Sequence, residues 1–290
     1  MEKIILVHGI NNQGKSEERI IGEWLGALQT ALTPQELELL HSKEIVAPYY
    51  GNILKEITDS GDKIDKQAVA QSILNLDDPQ AKFISEAMTE MALGAGMHPD
   101  ILDAENGDQA VEQSLKHNRY LNAVVRFLEG KSPWHGDHAV RFLKQAYVYL
   151  NRAHAAKAVD DIVAPNLNGP RSLIIAHSLG TIVTFKALRN INTELKHNYI
   201  TLGSPLGIRA IRKKIGPPYQ TPTCTSVWNN GLDKDDFITL GKRLSEHGYN
   251  GHISENDKID NGRKDPHSIA KYITDPWVVA QIKTALGLEQ

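Results

Sequence analysis

The chain has a single cysteine and no excess of positive charge, and each of these features excludes a class of protein. Because Cys224 is the only cysteine in 290 residues, neither an intrachain disulfide nor a zinc site built from several cysteines can form. Lysine and arginine together number 32 against 35 aspartates and glutamates. This balance gives no reason to expect binding to nucleic acid or to an anionic membrane surface.

Long hydrophobic runs are also missing. The first apolar run covers only residues 4–7, too few for the core of a signal peptide, and no later run approaches the roughly 18 residues of a membrane span. We therefore expect a cytoplasmic protein without stable membrane insertion. Hydrophobic residues nevertheless make up 41% of the chain, which is ample for a packed core and excludes a mostly disordered protein.

Short apolar runs separated by helical patterns predict an α/β fold. Apolar residues in these runs are mostly continuous rather than alternating, which is typical of parallel strands buried on both faces. They cover residues 4–7, 45–50, 173–176, 199–202 and 226–228. Because helical spacing of apolar residues fills the intervals, we expect a mostly parallel central sheet with helices on both faces.

One stretch, about residues 52–134, carries helix signals and no credible strand. Val69 and Ile73 share one apolar helical face, and Met88 and Met91 share another. The stretch interrupts one pattern of strands rather than following a completed one. We therefore predict a single domain over residues 1–290 with a helical cap, or lid, inserted at about 52–134.

The strongest chemical signal is Ala176-His177-Ser178-Leu179-Gly180, which lies between a predicted strand and a predicted helix. Small residues at its two ends allow strand and helix to approach closely around a strained turn. The helix that follows directs its N-terminal N–H groups towards Ser178 and favours developing negative charge. This context is typical of a nucleophile elbow. We expect His177 to shape the turn, with its side chain directed away from Ser178.

A nucleophilic serine needs a base, and the base needs an orienting carboxylate. His267 lies just before the last predicted helix, and the acidic loop with Asp233, Asp235 and Asp236 follows a predicted strand. The order serine, aspartate, histidine is the one used by hydrolases built on a parallel sheet. The loops that follow parallel strands gather at one edge of the sheet, so we expect these groups to meet there.

These features together resemble the α/β-hydrolase superfamily, in particular its serine esterases and lipases. The matching marks run in family order from residue 7 to residue 268. They are Val7-His8-Gly9, the elbow, Gly203-Ser204-Pro205, the spaced residues Trp228, Asn230, Asp233, Asp236 and Ile238, and Pro266-His267-Ser268. The resemblance implies an α/β-hydrolase fold and cleavage of a carboxylic ester through an acyl-enzyme intermediate.

The resemblance also implies a role for each residue of the site. Ser178 would attack the acyl carbonyl, and His267 would transfer the proton. The backbone N–H groups of Ile10 and Leu179 would hold the oxyanion. In the family the acid stands two residues before an aliphatic one, as Asp236 stands before Ile238. Asp236 is therefore preferred to Asp233, and Asp235 comes third.

The implied substrate is a small-molecule or lipid acyl ester, and the implied chemistry requires no cofactor and no metal. Two histidines and an aspartate in Trp134-His135-Gly136-Asp137-His138 are better explained as the start of a helix than as metal ligands. Met88 and Met91 of the insertion could line an acyl pocket, although core packing explains their spacing better. Apolar faces of the cap could also support a homo-oligomer.

A rival motif lies near the N-terminus. Gly9-Ile10-Asn11-Asn12-Gln13-Gly14-Lys15-Ser16 fits the phosphate-binding P-loop pattern and stands between a predicted strand and helix. A nucleotide hydrolase also needs an acidic strand end to hold magnesium, and none of the apolar runs ends in Asp or Glu. The P-loop interpretation leaves the elbow and His267 unexplained. It is kept as an alternative, beside a catalytically inert hydrolase-fold binding protein.

Overall fold

A computed structural model describes residues 1, 3–60, 79–98, 123–124, 126–128, 130, 136–191 and 194–288 of the chain. Within them the chain forms one open sheet of six parallel strands flanked by helices. In chain order the strands are β1 (Lys3–Val7), β2 (Glu44–Val46), β3 (Ser172–His177), β4 (His197–Leu202), β5 (Thr225–Asp233) and β6 (Ile253–Ile259). The α/β class predicted from the sequence is confirmed.

The helices of the described residues connect and cover these strands. They are α1 (Glu17–Leu28), α2 (Pro34–His41), α3 (Gly51–Ser60), α4 (Pro79–Gly94), α5 (Gly136–Asn151), α6 (Ala153–Leu167), α7 (Leu179–Arg189), α8 (Arg209–Ile215), α9 (Ile269–Thr274) and α10 (Pro276–Leu286). Side chains cap several N-termini: Thr33 forms a capping box with Glu36 at α2, and Asp275 accepts from two backbone N–H groups at α10. No described helix combines the length and the apolar character needed to cross a bilayer.

Strand order places the candidate site at a change of winding direction. The order is β2-β1-β3-β4-β5-β6, so β1 has β2 on one side and β3 on the other. In open α/β sheets, ligands bind beyond the carboxyl ends of the strands at such a switch point. The loop after β1 begins at His8, and Ser178 directly follows β3. Both segments therefore start from the switch point.

Alternate residues of the central strands pack on opposite faces of the sheet. Ile4 and Leu6 of β1 join one apolar cluster with α1, α9 and α10. Ile5 and Val7 join another cluster with α4, α5, α6 and α7. Because helices cover both faces, the strand has no solvent-facing side that would favour polar residues. This packing explains the continuous apolar runs.

Comparison of the predicted and observed strands confirms the runs at residues 4–7, 173–176 and 199–202. β2 ends at Val46, earlier than the predicted 45–50, because the Ala47 N–H donates to the Glu17 carboxylate and the proline at position 48 has no N–H to donate. β5 extends beyond 226–228 as far as Asp233, so one strand does end in an acidic residue, unlike the apolar runs read from the sequence. β6 was not predicted, since this edge strand pairs only with β5 and carries polar, partly exposed residues at its centre.

The described part of the predicted insertion is helical. It contains α4 and all but the first residue of α3. Met88 and Met91 of α4 are fully buried in the larger apolar cluster, so they pack in the core as expected for helical spacing. Val69 and Ile73 lie outside the described residues. A cap function for this stretch stays a prediction.

Candidate active site

Ser178 occupies the sharp turn between β3 and α7. Its backbone angles, φ 54° and ψ −128°, lie in a region that residues other than glycine rarely adopt and that costs on the order of 1–3 kcal/mol. Neighbouring groups hold the turn: the Ser178 N–H donates to the Leu202 carbonyl at 3.1 Å, and the Ser178 carbonyl accepts from the Thr181 hydroxyl at 2.8 Å. The strained strand-to-helix turn predicted from the sequence is present.

Two glycines allow β1 and its loop to lie directly against this turn. A Cβ atom on Gly180 would stand 2.3 Å from the Val7 carbonyl oxygen. A Cβ atom on Gly9 would stand 2.6 Å from the Ser178 Cβ and 3.1 Å from the Ser178 Oγ. Neither position has room for a side chain. The backbone of the loop after β1 is therefore in contact with the serine.

His267 and Asp236 form a buried pair close to the same turn. The His267 Nδ1 lies 2.7 Å from the Asp236 Oδ2, and both side chains are almost inaccessible. A Cβ atom on Gly203 would lie 3.0 Å from the His267 Nδ1 and 3.1 Å from the Asp236 Oδ2. Gly203 follows Leu202, which accepts the Ser178 N–H. The structure thus places the His267–Asp236 pair against Gly203, which follows β4, and β4 is the strand next to β3, which leads to Ser178.

The Ser178 hydroxyl itself is buried and has no hydrogen-bond partner within the described part of the chain. Hydrogen bonds to a nucleophile are often long in unliganded enzymes and tighten when substrate binds. The loops of Ser178 and His267 are nevertheless tied together, because the Nε2 of His177 lies 3.0 Å from the His267 carbonyl. This contact places the His177 ring against His267, with the two ring centroids 4.6 Å apart.

Asp236 accepts hydrogen bonds on both carboxylate oxygens. Its Oδ2 accepts from His267 and from the Tyr272 hydroxyl, which lies 2.8 Å away. Its Oδ1 accepts from the Ile238 N–H at 3.1 Å. The carboxylate is completely buried, and these donors compensate for its desolvation. Its orientation towards His267 is fixed from three directions.

The other two candidate acids occupy different positions. The Asp233 carboxylate accepts from the Asp235 N–H at 2.7 Å and from the Asn261 N–H at 2.6 Å. Burial raises the pKa of Asp233, and the neighbouring Asp236 charge adds to this. Asp235 is exposed. Asp233 therefore organises the loop that leads to His267, and Asp236 is the acid in contact with the histidine.

Two buried side chains that hold His267 and Asp236 were not predicted to do so. Tyr272 contacts Asp236, and His177 contacts the His267 backbone. Burial, together with the nearby His267, drives the pKa of His177 well below its usual range, so its Nε2–H donates as a neutral ring. Tyr272 gave no sequence signal, because an aromatic residue within an apolar helical pattern predicts core packing.

The Gly9 carbonyl is held by two side chains. The Nδ1 of His8 lies 2.8 Å away, and the amide nitrogen of Asn12 donates at 3.1 Å. The His8 Nε2 accepts the Tyr50 N–H, which leaves the ring proton on Nδ1. Burial lowers the pKa of His8 to about 4, so the ring is neutral near pH 7.

This anchoring fixes the direction of the N–H group that follows. In a trans peptide the C=O and the next N–H point in opposite directions, so fixing the Gly9 carbonyl also fixes the Ile10 N–H. Leu179 is the first residue of α7, where an N–H has no acceptor within the helix. Within the described residues, neither the Ile10 N–H nor the Leu179 N–H donates a hydrogen bond. Both were predicted to hold an oxyanion.

The segment that matches the P-loop motif uses its key groups in contacts with its own chain. The Lys15 Nζ forms an ion pair with Glu23 of α1 at 2.5 Å. The Gly14 N–H donates to the Asn52 side chain at 2.8 Å. Ser16 caps α1 by accepting a backbone N–H of the first turn.

The fold and the site together define an α/β protein with a serine, a histidine and an aspartate in loops that follow strands of an open parallel sheet, the serine at its switch point. Comparison of the whole chain with protein-family models, with curated proteins and with solved structures found no match. The argument for a function therefore depends on the geometry of the site.

Proposed function

We propose that this protein is a serine hydrolase that cleaves a small-molecule or lipid carboxylic ester through an acyl-enzyme intermediate. The observation that carries the proposal is the 2.7 Å contact between the His267 Nδ1 and the Asp236 Oδ2, buried beside the strained Ser178 turn. A buried histidine paired with a carboxylate next to a serine is the arrangement that activates a hydroxyl. A strained backbone at the serine is also typical of catalytic nucleophiles.

In the acylation step, the Ser178 Oγ forms a bond to the acyl carbon while His267 takes the hydroxyl proton on Nε2. Asp236 holds the opposite ring nitrogen and stabilises the imidazolium. The backbone N–H groups of Ile10 and Leu179 stabilise the negative charge that develops on the carbonyl oxygen. Collapse of the tetrahedral intermediate breaks the ester C–O bond, and His267 gives its proton to the departing alkoxide oxygen.

In the deacylation step, water replaces the alcohol. His267 removes a proton from the water as the water oxygen attacks the acyl carbon. The second tetrahedral intermediate then expels the Ser178 oxygen, which regains its proton from His267. The products are a carboxylic acid and the free enzyme, and no external cofactor is consumed.

The contacts of the P-loop-like segment also favour a hydrolase over a nucleotide-binding protein. A P-loop uses its lysine ammonium and its backbone N–H groups to hold phosphates. Here Lys15 is paired with Glu23, and the Gly14 N–H is bonded to Asn52. In the proposed hydrolase, the first residues of the same segment instead form the oxyanion loop.

Covalent labelling with a small alkyl fluorophosphonate tests the proposed function. Only an activated serine reacts with this reagent, so we expect one phosphonyl group on Ser178, located by intact mass and peptide mapping. Ser178→Ala should abolish labelling. Ser204→Ala is the matched control, because Ser204 is also buried. Its hydroxyl oxygen lies 3.0 Å from that of Thr181, three residues after Ser178. The Ser204→Ala variant should still be labelled at Ser178. A native chain that remains unlabelled would favour an inert binding protein or the P-loop interpretation.

Asn12 offers a test of the oxyanion loop. Its amide donates to the carbonyls of Gly9 and Ile10, each at 3.1 Å, so Asn12→Ala should loosen the Ile10 N–H and lower kcat about 10-fold. Asn52→Ala is the control, since Asn52 binds the same loop only at Gly14. Steady-state kinetics on a short p-nitrophenyl ester measures both. Equal losses in the two variants would contradict a specific role for Asn12.

A further inference from the structure

The Tyr272 hydroxyl binds the carboxylate oxygen that also holds the histidine. The Asp236 Oδ2 lies 2.7 Å from the His267 Nδ1 and 2.8 Å from the Tyr272 hydroxyl. Tyr272 is fully buried on α9, which begins two residues after His267. The two donors therefore share the negative charge of a single oxygen atom.

A second contact determines which way the Tyr272 hydroxyl points. The Tyr272 hydroxyl oxygen accepts the Asp233 N–H at 3.0 Å. A phenol has one hydrogen to donate, and because the Asp233 N–H brings its own hydrogen, the phenol hydrogen is directed to Asp236. Burial and the Asp236 charge raise the pKa of Tyr272 well above its usual range, so the hydroxyl stays protonated and remains a donor.

We propose that Tyr272 is a positioning residue that limits how strongly Asp236 stabilises the protonated form of His267. The inference rests on the proposed hydrolase function. His177 also faces His267, with the ring centroids 4.6 Å apart; burial lowers the pKa of His177 well below its usual range, and His177 is unchanged in every variant compared. A hydrogen bond from the phenol draws charge away from the Oδ2 atom, so less charge is available to the imidazolium. The Tyr272 hydroxyl and the Ile238 N–H together hold the Asp236 carboxylate in place. The base can then return its proton more readily to the leaving group.

Tyr272→Phe removes the hydroxyl and keeps the ring. Because Asp236 then stabilises the imidazolium more strongly, the acidic limb of the pH profile of kcat/KM should move to higher pH by about half a unit. Since His267 also returns its proton less readily, the plateau value of kcat/KM should be about 5-fold lower. Tyr149→Phe is the matched control. Tyr149 is another buried tyrosine whose hydroxyl donates to a carboxylate, that of Asp160 at 2.7 Å, but it lies on α5.

A pH titration of an inactive variant tests the same effect of Tyr272→Phe without substrate turnover. In a Ser178→Ala background, NMR follows the ring protons of His267 during a pH titration, and the added Tyr272→Phe change should move the midpoint upwards. If the native enzyme labels at Ser178 but both pH measurements are unchanged by Tyr272→Phe, this inference alone fails. An equal shift in Tyr149→Phe would also overturn it. If native Ser178 does not label, the proposed function fails, and this inference fails with it.

Discussion

Replacing Asp236 with asparagine is expected to lower kcat by about 10,000-fold. The asparagine side chain keeps the size of the aspartate but loses its negative charge, so the imidazolium formed during acyl transfer is no longer stabilised. If the amide nitrogen faces His267, the ring is also held in the wrong tautomer for accepting a proton on Nε2. Initial rates on a short p-nitrophenyl ester, with the native chain and the variant at equal concentration, measure the loss.

Asp233→Asn provides the matched control for this result. Asp233 lies in the same acidic loop, but its carboxylate accepts two backbone N–H groups and does not contact His267. We expect it to lower kcat by no more than about 10-fold, through a less ordered His267 loop. If Asp233→Asn abolished turnover while Asp236→Asn remained active, the assignment of the acid would be wrong.

The second large effect concerns the approach of α7 to β1. Gly180→Ala places a methyl group where a Cβ would lie 2.3 Å from the Val7 carbonyl oxygen and 2.6 Å from the His8 carbonyl oxygen. Backbone must move to accommodate it, and we expect the free energy of unfolding to fall by about 3 kcal/mol. Thermal or denaturant unfolding followed by circular dichroism measures the change.

The same substitution elsewhere should act in the opposite direction. Gly22 lies in the middle of α1, is exposed, and would have nothing within 4 Å of an added Cβ. Gly22→Ala should stabilise the protein by up to about 1 kcal/mol, because alanine is the better helix former. Equal effects at the two positions would contradict the close approach of helix and strand. Loss of stability at Gly180 should also be accompanied by loss of activity, since α7 carries Ser178.

The sequence predicted those parts of the fold in which the local pattern and the tertiary environment agree. β1, β3 and β4 are covered on both faces, so the runs at residues 4–7, 173–176 and 199–202 are buried and mostly apolar. β6 was missed because an edge strand with polar residues looks like a loop when its single neighbour is unknown. The lengths of β2 and β5 were also wrong, since pairing partners determine where a strand ends.

Some residues of the candidate site could likewise be predicted from the sequence, and others could not. Ser178 and His267 stand in local motifs with a recognisable context. The choice of Asp236 came from resemblance, because the spacing of residues 233–236 leaves three acids open. Tyr272 and His177 act through contacts 36 and 90 positions away along the chain. Such contacts depend on how α9 packs against β3 and β5, and no local pattern encodes that packing.

The pairing of β1 with β3 has a consequence for the order in which the site assembles during synthesis. Lys3 pairs with Glu44 on one side and with Ser172 on the other. At about 5–20 residues per second, the ribosome makes the second partner on the order of 10 s after the first. During that interval the proposed oxyanion loop has no Ser178 turn to pack against. His267 and Tyr272 follow later still, so a nascent chain that stops between Ser178 and His267 carries the proposed nucleophile without its proposed base.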